Sequence, residues 1–98
     1  MKTDLNTVKD KLNQKMEFLK ETYGVEELGV FGSVARGDNT ETSDIDILVT
    51  LSRPMGYFKF IDLEGYLTEL LGKKVDLVTK RALNRHIKSD ILQQVTYV

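Results

Sequence analysis

The segment from Ile45 to Thr79 constrains the fold of this chain more than any other. Ile45 to Leu51 is an aliphatic run of strand length, and Val75 to Thr79 is a second one. Between them, Tyr57 to Leu71 has helical periodicity, with Phe60, Ile61, Leu67, Leu70 and Leu71 expected on its inward side and Gly72 at its end. Proline cannot donate to a ladder, so Arg53-Pro54 is where the chain leaves the sheet. Strand, helix and strand together have the length of a crossover unit, which predicts that the two strands are parallel neighbours.

The flanking segments complete the architecture. Leu5, Val8, Leu12, Met16, Leu19 and Tyr23 recur at steps of three and four, predicting an amphipathic helix over Asp4 to Tyr23, with Thr3 or Asp4 as its cap and Gly24 as its left-handed end. Leu28 to Phe31 reads as a short strand halted by Gly32-Ser33, followed by one helical turn at Val34-Ala35-Arg36 and a polar loop from Gly37 to Ser43. That connection is too short for a crossover, so the strand is expected to pair antiparallel with Ile45 to Leu51. Asn84 is placed to cap a last helix in which Ile87, Ile91 and Val95 repeat every four residues. The fold class expected is α/β (α+β), a small mixed sheet with flanking helices. With 98 residues, one domain spanning 1–98 and one core are expected.

Composition narrows the function classes. A net charge of -1 gives no whole-molecule reason to expect nucleic acid or an anionic membrane as partner. The absence of cysteine excludes a disulfide framework and any thiolate metal site. No segment resembles a signal peptide or a membrane span, so a cytoplasmic location is expected.

Asp44 and Asp46 interrupt this pattern. Ionised carboxylates are costly to bury unpaired, yet both alternate with aliphatic residues in what reads as a core strand. Alternation puts them on one face, about 6.5 Å apart along the strand, while Ile45, Ile47 and Val49 face the core. Asp76 in the neighbouring strand comes within about 4.8 Å laterally if the register aligns it. Three clustered carboxylates repel one another, and a divalent cation relieves the repulsion. Hard oxygen donors suit magnesium or manganese, and the spacing suits two ions about 3.5–4 Å apart, as used for in-line phosphoryl or nucleotidyl displacement. Gly32 permits close backbone approach, the amides around Ser33 can point at phosphate oxygens, and Arg36 can meet phosphate charge one turn on.

Gly32-Ser33, ten residues, Asp44-Ile45-Asp46 and later Val75-Asp76-Leu77 together resemble the signature of the DNA polymerase β-like nucleotidyltransferase superfamily. Gly-Ser-Val-Ala-Arg-Gly with Ser-Asp-Ile-Asp-Ile-Leu-Val is most similar to its smallest branch, the minimal nucleotidyltransferases (MNT, MntA-like antitoxins) encoded beside HEPN-domain toxins. The resemblance covers essentially the whole chain. It implies that Asp44 and Asp46 bind both metal ions, that Asp76 binds one and helps deprotonate the acceptor, and that Gly32 and Ser33 grip the β- and γ-phosphates. It further implies transfer of AMP from ATP to a tyrosine of the HEPN ribonuclease toxin, which is thereby neutralised. The expected short length supports an acceptor supplied from outside, because no second domain is left to hold one. Two alternatives are carried beside this reading: an antitoxin that acts by binding alone, and a nucleotidyltransferase with another acceptor.

Two further features have simpler expectations. Lys80, Arg81, Arg85, His86 and Lys88 form a basic segment, expected to be a solvated helix face rather than a contact for an acidic partner or the nucleotide. Tyr57 and Phe58 are expected in the core rather than beside a nucleotide base.

Overall fold

A computed structural model describes residues 3–83 and 85–98, with the side chains of 85–88 outside the description. The elements in order are α1 (Leu5–Tyr23), β1 (Val25–Phe31), α2 (Gly32–Arg36), β2 (Ile45–Leu51), α3 (Tyr57–Leu71), β3 (Val75–Thr79), a 3₁₀ turn (Lys80–Ala82), α4 (Arg85–Gln94) and β4 (Thr96–Tyr97). The sheet order is β3-β2-β1-β4, with β2 and β3 parallel and both other pairings antiparallel. The crossover α3 and the antiparallel β1–β2 connection therefore match expectation.

One face of the sheet carries the core. Leu28 and Val30 of β1, Ile45, Ile47 and Val49 of β2, and Val75 and Leu77 of β3 meet Val8, Leu12, Leu19 and Tyr23 of α1 and Leu63, Leu67 and Leu71 of α3. Helices and strands expose one stripe or one face to a common interior, which is why all of these are apolar. A hydrogen bond from Tyr23 Oη to Asp62 Oδ2, 2.7 Å, ties α1 to α3 at the edge of this layer.

The inward side of α3 needs correction. Its buried stripe is Leu63, Leu67 and Leu71, whereas Ile61 is exposed. Two residues span about 200° of helix, so Ile61 lies nearly opposite Leu63. Tyr57 and Phe58 are exposed as well, against the expectation of core positions.

Both ends of the sheet differ from the sequence reading. β1 begins at Val25 rather than Leu28, with a register shift between Val25 and Glu27 against β2. Such a bulge puts an extra residue on one strand, so Glu26 and Glu27 are both exposed and the alternation that would reveal a strand is lost. At the other end α4 stops at Gln94 and Val95 is not helical; it packs against Gly29, where an added Cβ would collide with Val95 Cγ1. The chain then adds β4 beside β1. Asp4 stands at the N-cap of α1, but its carboxylate receives the Thr7 hydroxyl at 3.5 Å rather than a backbone amide. The expected Asn84 cap lies outside the described residues, as do the side chains of Arg85, His86, Ile87 and Lys88.

Edge strand β3 is protected by its own crossover helix. Val75 N–H donates to Thr68 Oγ1 at 3.1 Å and Leu77 N–H to Glu64 Oε2 at 3.0 Å. Four helical residues advance about 6 Å and two strand residues about 6.6 Å, so side chains one turn apart on α3 reach successive outward amides of β3. An edge covered in this way does not template pairing with other chains.

Candidate active site

The opposite face of β2 and β3 holds the acids. Asp46 pairs with Asp76 in the parallel register, which places the two carboxyl groups side by side. Asp44 precedes β2 by one residue, where Ile45 N–H donates to Lys74 O at 2.9 Å, and its Oδ2 stands 3.9 Å from Lys74 Nζ. The loop leading to it is fastened by Thr40 N–H to Ser43 Oγ at 2.9 Å, Ser43 N–H to Thr40 O at 3.1 Å, and Lys73 Nζ to Thr40 O at 2.9 Å.

The electrostatics centre on Asp46. Burial pushes its carboxyl above the ordinary range, the charges of Asp76 and then Asp44 act in the same direction, and the Arg36 guanidinium opposes them. A side-chain hydrogen bond with Asp76 adds to the rise. Two carboxyl groups share such a bond only when one of them carries a proton.

Gly32 shapes the site from the side. Its φ is 71°, and a Cβ there would collide with Asp46 Oδ2. The sequence suggested that glycine admits a ligand; the structure shows that it first admits Asp46 itself. From Gly32 the chain enters α2, whose N-cap position is Phe31 and whose start no side chain caps, with Ser33 in its first turn. Arg36 closes α2, donating through Nε to Asp38 Oδ2 and through Nη1 to Gln94 Oε1, both at 3.1 Å. Lys74 and Gln94 thus adjoin the site although their positions in sequence gave no sign of it. Their contacts cross between separate elements, which no local pattern encodes.

The donor set is oxygen only, and burial, with the like charges of Asp76 and Asp44 added to it, raises the Asp46 carboxyl, so a hard divalent cation matches the chemistry of the place. Convergence is incomplete: among the described residues no three His, Cys, Asp or Glu side chains stand close enough to share one ion. Asp46 and Asp76 are brought together, and Asp44 is turned toward Lys74.

Comparison with known proteins gives this arrangement a family. Residues 11–98 match the nucleotidyltransferase domain family. The chain belongs to the nucleotidyltransferase family. A Methanocaldococcus jannaschii relative, provisionally named a protein adenylyltransferase, is 48% identical over the whole of both chains. Protein adenylyltransferase MntA of Thermococcus cleftensis is 45% identical over 96% of this chain and 95% of its own length. A solved structure described provisionally as a minimal nucleotidyltransferase superposes with a TM-score of 0.81 at 31% identity, covering 96% of this chain and 95% of that one. This nucleotidyltransferase has, among its described residues, no helix long and apolar enough to cross a membrane.

Proposed function

We propose that this nucleotidyltransferase is the antitoxin of a HEPN toxin and transfers AMP from ATP to a tyrosine hydroxyl of that toxin. The observation that carries the reading is the in-register pair Asp46 and Asp76, with Gly32 held against Asp46 at the mouth of α2. The names of the relatives support AMP as the group transferred. An MNT antitoxin in complex with a tri-AMPylated HEPN toxin shares the fold of this chain, with a TM-score of 0.67 at 21% identity, and supports the kind of partner.

The acceptor oxygen attacks the α-phosphorus, the bond to the β-phosphate oxygen breaks, and pyrophosphate leaves. Asp44, Asp46 and Asp76 would hold magnesium, which supplies positive charge for the phosphate oxygens. Asp76, exposed on the edge strand, would take the proton of an incoming hydroxyl. Gly32 and Ser33 bring backbone amides and a hydroxyl to the β- and γ-phosphates. Arg36 is held by Asp38 and Gln94 on the same side and offers charge to the nucleotide.

The test is transfer of label from α-phosphate-labelled ATP to the HEPN protein encoded beside this chain, with and without a magnesium chelator, in the native sequence and in Asp44→Asn and Asp76→Asn. Label that vanishes in both variants and on chelation is the expected result. Toxin silenced by Asp44→Asn as well as by the native chain would overturn the catalytic reading in favour of occupancy.

A further inference from the structure

The acids lie at the amino-terminal ends of β2 and β3, and the carboxy-terminal ends of the same strands carry a feature that AMP transfer does not use. There Arg53, Lys80 and Arg81 border a cleft of about 460 Å³. An adjoining groove of about 340 Å³ is lined by Phe60, Val78 and Ala82, and Leu51, Met55 and Thr79 line both, so the two are continuous. Tyr57, 72% exposed, lines the groove at the start of α3, and Phe58, 85% exposed, packs its ring edge to face on that of Tyr57 at 5.5 Å. Ile61, 45% exposed, follows within one turn. Large apolar side chains grouped at a surface and rimmed by charge mark a place where another molecule binds.

The edge of β3 opens at the same place. Thr68 and Glu64 cover the outward amides of Val75 and Leu77, and the next outward amide is that of Thr79. The corresponding position one turn earlier on α3 is Phe60, which has no acceptor to offer. The cover that α3 gives the edge of β3 thus ends where the groove's apolar side chains meet Lys80 and Arg81.

We propose that this end of the sheet is the docking surface for the acceptor protein, which contributes a segment of apolar side chains flanked by carboxylates. The proposal rests on the functional reading above, since it names where that acceptor is held. Charge complementarity decides the chemistry: in a chain of net charge -1, Lys80 and Arg81 line the cleft together, with Arg53 beside them donating to Glu21 O at 3.4 Å. A second copy of this chain, related by a two-fold axis at this patch, would bring the same cations face to face. Nucleic acid would find the cations but gain nothing from Leu51, Met55, Phe60 and Ala82. Five residue steps along β2 carry the chain from Asp46 to Leu51, about 16 Å, so the surface positions the acceptor without touching the reacting atoms.

The test uses the full chain and the HEPN protein. Lys80→Glu combined with Arg81→Glu, and separately Phe58→Ser, are compared with the native chain for HEPN affinity by calorimetry without ATP, for ATP-analogue affinity, and for KM and kcat of transfer. All three positions are outside the core, and unchanged ATP-analogue affinity reports an intact fold. The expected result is HEPN affinity weakened at least about tenfold in both variants, a shallower salt dependence in the charge-reversed one, and KM raised with kcat retained. Phe58→Leu should restore most of the affinity. HEPN affinity equal to native in both variants would overturn the proposal. So would a native self-association, or binding of a single-stranded RNA 20-mer, that the variants lose while HEPN affinity stays intact. A native chain that binds HEPN but transfers no AMP overturns the proposed chemistry alone, and one that does not bind HEPN overturns both.

Discussion

The two faces of β2 live in different solvents. Ile45, Ile47 and Val49 are fully buried against α1 and α3, while Asp46, one residue away from two of them, faces Asp76 across the ladder with its carboxyl pushed toward protonation. A period of two lets one strand serve both faces without compromise, because a side chain on one face contributes nothing to packing on the other. The comparison teaches that the core face supplies stability and the acid face consumes some of it, since charges gathered for a ligand repel one another before the ligand arrives.

The sharpest way to break that contrast is to mutate adjacent residues. Ile47→Ala should lower unfolding free energy by about 2–5 kcal/mol in urea titration, with transfer activity per folded molecule nearly unchanged. Asp46→Asn should do the reverse, reducing transfer at least about a hundredfold while raising stability at neutral pH in metal-free buffer. The sign follows from linkage: with its folded pKa raised, Asp46 contributes stability below its unfolded pKa and loses it as pH rises through the folded value. The advantage of Asp46→Asn should therefore shrink on acidification toward about pH 4. A variant less stable than native at neutral pH would show that burial and repulsion of charge are not what govern the acid face.

Gly32 joins the two faces, and its substitution should affect both. Gly32→Ala combines a positive φ with a collision against Asp46, so a loss of about 1–2 kcal/mol is expected together with loss of transfer. Gly37→Ala is the matched control, because Gly37 has φ 81° and open space around its missing Cβ. It should show similar strain and retain activity. Equal activity losses in the two would mean that closeness to Asp46 is not the reason for glycine at 32.

The smallest effect belongs to the core side. Burial, and then the hydrogen bond to Asp62, push the Tyr23 hydroxyl up from 10.0 to about 12. Its contribution is complete below pH 10 and is lost as pH rises from 10 toward 12. Tyr23→Phe should cost about 1 kcal/mol at neutral pH and flatten the alkaline limb of the stability profile, with no effect on transfer.

Legibility from sequence followed how local each feature is. The bounds of β2, α3 and β3 were readable to the residue because aliphatic runs are punctuated there by Pro54, Gly72 and the charges between them. The start of β1 was hidden by Glu26-Glu27 at a bulge, and two-residue β4 is too short to show any period. Asp44 and Asp46 were recognisable as sharing a face apart from the core. The Lys74 contact to Asp44 and the Gln94 contact to Arg36 were not, since each joins elements far apart in the chain.

What the sequence by itself determined is what period and punctuation can encode: the order of helices and strands, which residues of β2 turn inward, and a family signature spread along the chain. Only the tertiary structure decided that Asp46 and Asp76 share a rung of the ladder, that Gly32 is small because Asp46 stands against it, and that Tyr57 and Phe58 face outward beside a basic cleft. The physical reason is that a period sets direction within one element, whereas register, collision and exposure depend on where a second element comes to rest.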